Sequence, residues 1–139
     1  MNPQDVTFGL GCEFFDQLAH RHLDVGDASV VEIDVTDDLR GPAGSLHGGL
    51  VATLADVAGA TAVTRATNRP VVTASVSVQY LSAGRVGPIR ATGTVLRTSD
   101  TLGVAEVRVV DVGKDSRLMA VAHVTTRLLP GETFTRTTS

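Results

Sequence analysis

The chain has 139 residues, 42% of them hydrophobic and 19% charged, with 14 glycines and no tryptophan. That length suits one domain spanning residues 1–139, and the composition is that of a globular protein relying on turns and close backbone packing. A formal net charge of −3, without any block of like charges, argues against nucleic acid as the partner, because a phosphate-reading surface needs a basic stripe. The single Cys12 can form no internal disulfide, and Met1 to Phe15 lack the basic-then-apolar pattern of a secretory signal. The longest apolar region is interrupted by Asp56, Gly and Thr, which argues against a membrane span. A soluble, cytoplasmic protein is expected.

Residues 1–7 read as a loose end. Phe8 to His22 carries Phe14, Phe15, Leu18, Ala19 and His22 near one helical face, so a short amphipathic helix is expected there. His20 and His22 lack a third ligand nearby in sequence, so they read as a solvated helix end rather than a metal site, and Cys12 as a buried small residue. Ala28 to Val35 alternates Val31, Ile33 and Val35 with Glu32 and Asp34, which predicts a half-buried strand with one wet face. The turn at Gly26-Asp27 can join it to His22–Val25 as a hairpin. Asp37 to Ser45, punctuated by Gly41, Pro42 and Gly44, is a loop. A helix follows and ends near Asn68-Arg69-Pro70.

From Val71 the period changes to two. Val72, Ala74, Val76, Val78 and Tyr80 share one strand face, and Thr73, Ser75, Ser77 and Gln79 the other. Turns at Ser82–Pro88, Ser99-Asp100 and Gly113–Ser116 divide the rest into strands Ile89–Thr98, Leu102–Val112 and Arg117–Leu129. Strands joined in sequence by short turns are expected to pair antiparallel. Residues 130–139 form a polar tail. The expected architecture is an α+β roll, a curled antiparallel sheet wrapped around one long central helix.

That helix is the informative stretch. Gly44 to Arg65 reads GSLHGGLVATLADVAGATAVTR, and its small apolar residues point in every helical direction, which predicts a buried helix. Asp56 sits in the middle of it, with Ala52, Thr53, Gly59 and Ala60 as its helical neighbours and no cation to pair with. Either another element rescues this carboxylate, for instance through the hydroxyl of Thr73, or it is the working group of a site. At the helix start, the N–H groups of Gly48 and Gly49 have no intrahelical partner and suit a carbonyl oxygen or oxyanion. His47 beside them is a capping or core histidine, or part of the same site. Asp56 can serve as base toward water or as nucleophile. Eight residues separate Gly48 from Asp56, roughly 12 Å at ~1.5 Å per residue, so one helix cannot bring both to one carbonyl. Two antiparallel helices can. The arithmetic therefore predicts an isologous homodimer with two sites at its interface.

The segment Gly44-x-Leu46-His47-Gly48-Gly49-x-x-Ala52-x-Leu54-x-Asp56 resembles the signature of hotdog-fold acyl-CoA thioesterases of the phenylacetate-degradation, PaaI-like, type. The resemblance extends from about Leu10 to Leu129. It implies hydrolysis of an acyl- or aryl-CoA thioester, with the Gly48 N–H and His47 polarising the carbonyl and Asp56 of the neighbouring subunit as general base or nucleophile. Thr73 would accompany Asp56. Coenzyme A, as part of the substrate and with no separate cofactor or metal, would contact Gly49, Tyr80, Ser82, Arg85, Arg97, Thr101 and Arg127. Arg85, Arg97 and Arg127 are plausible phosphate partners at strand ends and equally ordinary surface arginines. Many such relatives are homotetramers, dimers of dimers. One departure stands out: where many relatives carry Asn or Gln six residues before the His, this chain has Gly41. That feature favours a second expectation, a non-catalytic acyl-CoA-binding or assembly module on the same fold. A dehydratase fits less well, because its usual Asp/His pair is not found.

Overall fold

The computed structural model describes residues 13–131. Cys12, the tail at residues 1–7 and the tail beyond Gly131 lie outside the described residues. A short helix α1 (Glu13–Gln17) is followed by β1 (His20–His22) and β2 (Ser29–Ile33). The long helix α2 (Gly48–Thr67) then leads into β3 (Val71–Tyr80), β4 (Ile89–Thr98), β5 (Leu102–Asp111) and β6 (Arg117–Leu128). All six strands form one antiparallel sheet in the order β1-β2-β4-β5-β6-β3, against which α2 packs. This is the hotdog arrangement, and the α+β roll expected from the sequence is what forms.

Helix α2 is seated almost backbone to backbone on the sheet. A Cβ added at Gly93 of β4 would lie 2.4 Å from the Ala58 carbonyl oxygen, and one at Gly59 would lie 2.7 Å from Val124 of β6. Glycine at these two positions permits that approach. Leu54, Ala55, Ala58, Ala62 and Val63 close the interface from the helix side, while Ile89, Ala91, Val107, Val109 and Val124 close it from the sheet. Burying a side chain such as Leu54, which is fully inaccessible, contributes about 1.5–3 kcal/mol.

The helix differs from the sequence reading in one respect. It is buried on its sheet side only, while Gly49, Ala52, Thr53, Asp56 and Ala60 remain exposed or half-exposed on the other. A single curled sheet covers one side of a helix, and among the described residues no element covers the rest.

Three local expectations are corrected. His20–His22 is a strand rather than a helix end, because its backbone pairs with Val31–Ile33. Glu32 is not on a wet face: it is 4% exposed and its carboxylate meets Arg90 at 3.1 Å, an ion pair supplied by the neighbouring strand. The four later strands are not a simple meander either. β3 pairs with β6 at the sheet edge, and β4 pairs with β2. The reason lies in the Ser82–Pro88 segment, whose polar groups are committed elsewhere. The Leu81 and Ser82 N–H groups donate to Met119, the Gly84 carbonyl accepts from Leu46, and the Asp111 carboxylate accepts from Arg85, Val86 and Gly87.

The close seat makes a prediction. Gly93→Ala, measured by urea denaturation, should lose at least about 1–3 kcal/mol, because its methyl group meets a helix carbonyl that cannot swing aside. Unchanged stability would show that the helix has room to move.

Candidate functional site

His47 caps α2: its Nδ1 accepts the Gly49 N–H at 3.0 Å. The neutral ring in this arrangement carries its proton on Nε2, which is left as an outward donor. The Leu50 and Val51 N–H groups both bond the His47 carbonyl. Among the described residues the Gly48 N–H alone in this first turn donates to nothing, so a single backbone donor is left at the positive end of a 20-residue helix. On the other side of Gly48, its carbonyl accepts from the Tyr80 hydroxyl at 2.6 Å, which fixes the end of β3 to the helix start.

Asp56 lies two turns further on, half-exposed, and its Oδ1 accepts from the Thr73 hydroxyl at 2.7 Å. Its other oxygen makes no hydrogen bond among the described residues. This pairing depends on a β-bulge. Simple alternation puts Thr73 on the face opposite Tyr80, but the β3–β6 register shifts between Thr73 and Ser75. One extra residue reverses the parity, so Val71 and Thr73 join Val78 and Tyr80 on the helix side.

The other residues sort by the ends of the sheet. Tyr80, Ser82 and Arg85 stand near the helix start with His47, Gly48 and Gly49. The loop before the helix is stitched to them: Arg40 Nη1 donates to the carbonyls of Gly44 and Arg85, and Arg85 Nη1 donates to Ala43 at 3.0 Å. Arg97, Thr101 and Arg127 lie at the opposite end, where Arg127 faces Leu102 and Val72 across the ladder. Within one chain they are a strand length away, about 30 Å. Gly41 borders the helix start: a Cβ there would meet the His47 ring at 3.6 Å. A longer side chain would therefore lie against His47, which makes this departure a matter of the site and not of a remote loop.

Two clefts flank the helix start. One, of about 350 Å³, lies between the helix and the end of β3 and is lined by Ser45, Gly48, Val51, Tyr80, Ser82 and Ala83 among others. The second, of about 440 Å³, opens on the opposite helix face and is more apolar, with Phe14, Leu18, Leu39 and Leu50 beside His47 and Gly49. A third, of about 290 Å³, adjoins the first at Ala83 and is rimmed by Arg85, Lys114 and Arg117. Sequence reasoning missed Arg40, Lys114, Arg117 and Asp111. Arg40 and Lys114 fell in segments read as a loop and a turn, and Asp111 and Arg117 in segments read as strands, so no local pattern singled them out.

No group of three or more His, Cys, Asp or Glu residues suited to a metal ion is found among the described residues, and His20 packs on Phe15 with ring centroids 4.0 Å apart. Among the same residues no helix is long and apolar enough to cross a membrane.

With this geometry in hand, comparison with known proteins places the chain in a class. Residues 43–125 match the model of the thioesterase superfamily, which covers more than half of the chain, and the chain belongs to that superfamily of hydrolases acting on thioester bonds. A solved protein from the thioesterase superfamily is 30% identical with a TM-score of 0.79, covering 94% of this chain and 100% of the other. The Escherichia coli PaaI protein from the phenylacetic acid degradation operon shares the fold at 22% identity, with a TM-score of 0.77 and 86% of each chain covered. A Halobacterium salinarum protein provisionally named an esterase is 44% identical over 71 residues, 48% of this chain and 46% of that one. The match thus spans about half the length of that curated relative. The resemblance to PaaI-like thioesterases read from the HGG-to-Asp segment agrees with the family match and with this shared fold.

Asp111 holds the loop that carries Arg85. Burial pushes its carboxyl up, but N–H bonds from Gly87, Val86, Arg85 and Gly113 outweigh this and hold it below the usual carboxylate range. A carboxyl with a depressed folded-state pKa stabilises the fold above its unfolded pKa, and that contribution is lost as pH falls through the depressed value. Denaturation across an acid series should show wild type losing this stability only below the usual Asp range. Asp111→Asn should be weaker at neutral pH by roughly 2 kcal/mol and lack that acid-dependent loss. Parallel pH curves would contradict the assignment.

Proposed function

We propose that the protein hydrolyses an acyl- or aryl-CoA thioester in sites built by two antiparallel chains. The thioester carbonyl accepts from the Gly48 N–H, with His47 Nε2–H beside it. Asp56 of the other chain takes a proton from water; the water oxygen bonds to the carbonyl carbon, the C–S bond breaks, and the sulfur leaves with its electron pair and is protonated. Thr73 holds one carboxylate oxygen of Asp56 so that the second faces the water. The apolar cleft at Phe14, Leu18 and Leu50 accepts the acyl group, and the cleft at Tyr80 and Ser82 the pantetheine arm.

The observation that carries this reading is the Gly48 N–H, a helix-start donor unsatisfied among the described residues, on the same helix as a half-exposed, Thr73-oriented carboxylate it cannot reach. The roughly 12 Å between them calls for a second chain. Two features favour such a dimer. β3 is an edge strand of ten residues with most of its side chains exposed, and an unprotected edge invites pairing. The uncovered face of α2 carries Gly49, Ala52 and Ala60 around Asp56, small enough for close helix approach. In that arrangement Arg97, Thr101 and Arg127 of one chain come toward the helix start of the other.

Steady-state hydrolysis of a panel of CoA thioesters tests the reading. Asp56→Ala should lower kcat at least ~100-fold with the fold intact. Equal rates in the two proteins would remove Asp56 from the chemistry. Thermal stabilisation by CoA thioesters with no turnover on any of them would instead support the binding module that Gly41 favours.

A further inference from the structure

Two side chains from different elements close on one peptide unit at the helix start. The Gly48 carbonyl accepts from the Tyr80 hydroxyl at 2.6 Å, and the Gly49 N–H, across that same peptide bond, donates to His47 Nδ1 at 3.0 Å. The next carbonyl, that of Gly49, accepts from the Thr53 hydroxyl at 2.9 Å. The Tyr80 ring also stands against Gly48, since a Cβ built there would meet it at 3.7 Å. Tyr80 is the last residue of β3, so its hold reaches across from the sheet, whereas His47 and Thr53 belong to the helix and its cap.

Capping needs only an acceptor for the first N–H groups, and His47 supplies it. Within the helix the Gly48 carbonyl already faces the N–H four residues on, so α2 forms without a second donor to it. What the Tyr80 bond adds is stiffness where the chain is least stiff. Gly48 and Gly49 are consecutive glycines at a helix terminus, where φ and ψ are freest. A donor meant for an oxyanion must hold its direction before the charge appears, and the Gly48 N–H sits on the residue whose carbonyl Tyr80 holds. The bonds also run in series. Tyr80 O–H meets the Gly48 carbonyl, the peptide passes to the Gly49 N–H, and this meets His47 Nδ1, with Nε2–H at the far end. Hydrogen bonds in such a chain polarise one another, so the first strengthens the last donor.

Resting on the thioesterase reading above, we infer that Tyr80 is a positioning residue, whose hydroxyl fixes the Gly48–Gly49 peptide and so aims the Gly48 N–H and His47 Nε2–H at the oxygen that gains charge. It touches no reacting atom. Its ring, as one wall of the neighbouring cleft, has a separate part in lining the substrate arm.

Tyr80→Phe removes the hydroxyl and keeps the ring, at a position 49% exposed. In steady-state hydrolysis of a CoA thioester, kcat and kcat/KM should fall together, about tenfold, with KM unchanged, the pattern of an interaction used in the transition state. In the free protein, NMR should show the Gly49 amide exchanging with solvent about tenfold faster. Unaltered kcat, even with faster exchange, would make the bond a mere anchor and overturn the assignment. A loss carried by KM would overturn it too and return the hydroxyl to substrate contact, as would a loss of kcat with Gly49 exchange unchanged. If wild type cleaves no thioester, the hydrolytic reading falls and the amide decides alone: faster exchange keeps Tyr80 as the residue that orders the helix-start donors, and unchanged exchange overturns it.

Discussion

The α2 helix rests on the sheet with little between the two backbones, Gly93 against Ala58 and Gly59 against Val124. Side chains of ordinary size at these points would hold the helix further off and thin the core around Leu54 and Val124. Because the contact is so close, the helix is fixed in depth and rotation. Leu50, Val51, Leu54, Ala55, Ala58, Ala62 and Val63 turn into the core, while Ala52, Thr53 and Ala60 lie on the more open side. Asp56 is on the uncovered side as a consequence of that rotation, within 2.7 Å of Thr73 on the neighbouring strand. The same rigidity keeps the Gly48 N–H about 12 Å from Asp56, and no side-chain motion closes that gap.

The site is thus a set of halves. Among the described residues, the Gly48 N–H has no acceptor and one oxygen of Asp56 has no donor. In the proposed dimer, the edge strand and the open helix face are where two copies would complete one another. Membership of the thioesterase superfamily fits the proposed hydrolysis, in which a carbonyl is polarised and water is activated.

What the sequence made legible was local or periodic. The glycines at the helix start, the lone carboxylate and the period-two strands after Val71 could all be read directly, and so could the α+β roll that they assemble. The helix boundaries were readable because His47 and Asn68 cap it, the latter in a left-handed conformation with φ of 52°. Features set by partners distant in sequence were not. Glu32 looked wet because Arg90, its partner, is 58 residues away. Thr73 looked as though it pointed away from Tyr80, because a bulge is a property of two strands together. Lys114 fell in a turn and Arg117 at the start of a strand, and only the fold places them around one cleft with Arg85. The β3 edge position was hidden for the same reason: the segment that follows it is held by Asp111 and Leu46 rather than folded as a hairpin.

The central claim, that one site takes its donor and its carboxylate from different chains, is tested most directly by mixing two inactive variants. Gly48→Pro removes the donor at the first helical position, where proline is favoured and where His47, at φ −57° and ψ 133°, already has the conformation that precedes proline. Asp56→Ala removes the carboxylate. Co-refolded in equal amounts, the two should recover about a quarter of wild-type thioesterase activity, since half of the dimers then hold one intact site of two. No recovery in mixed dimers shown to form would contradict a site shared between chains.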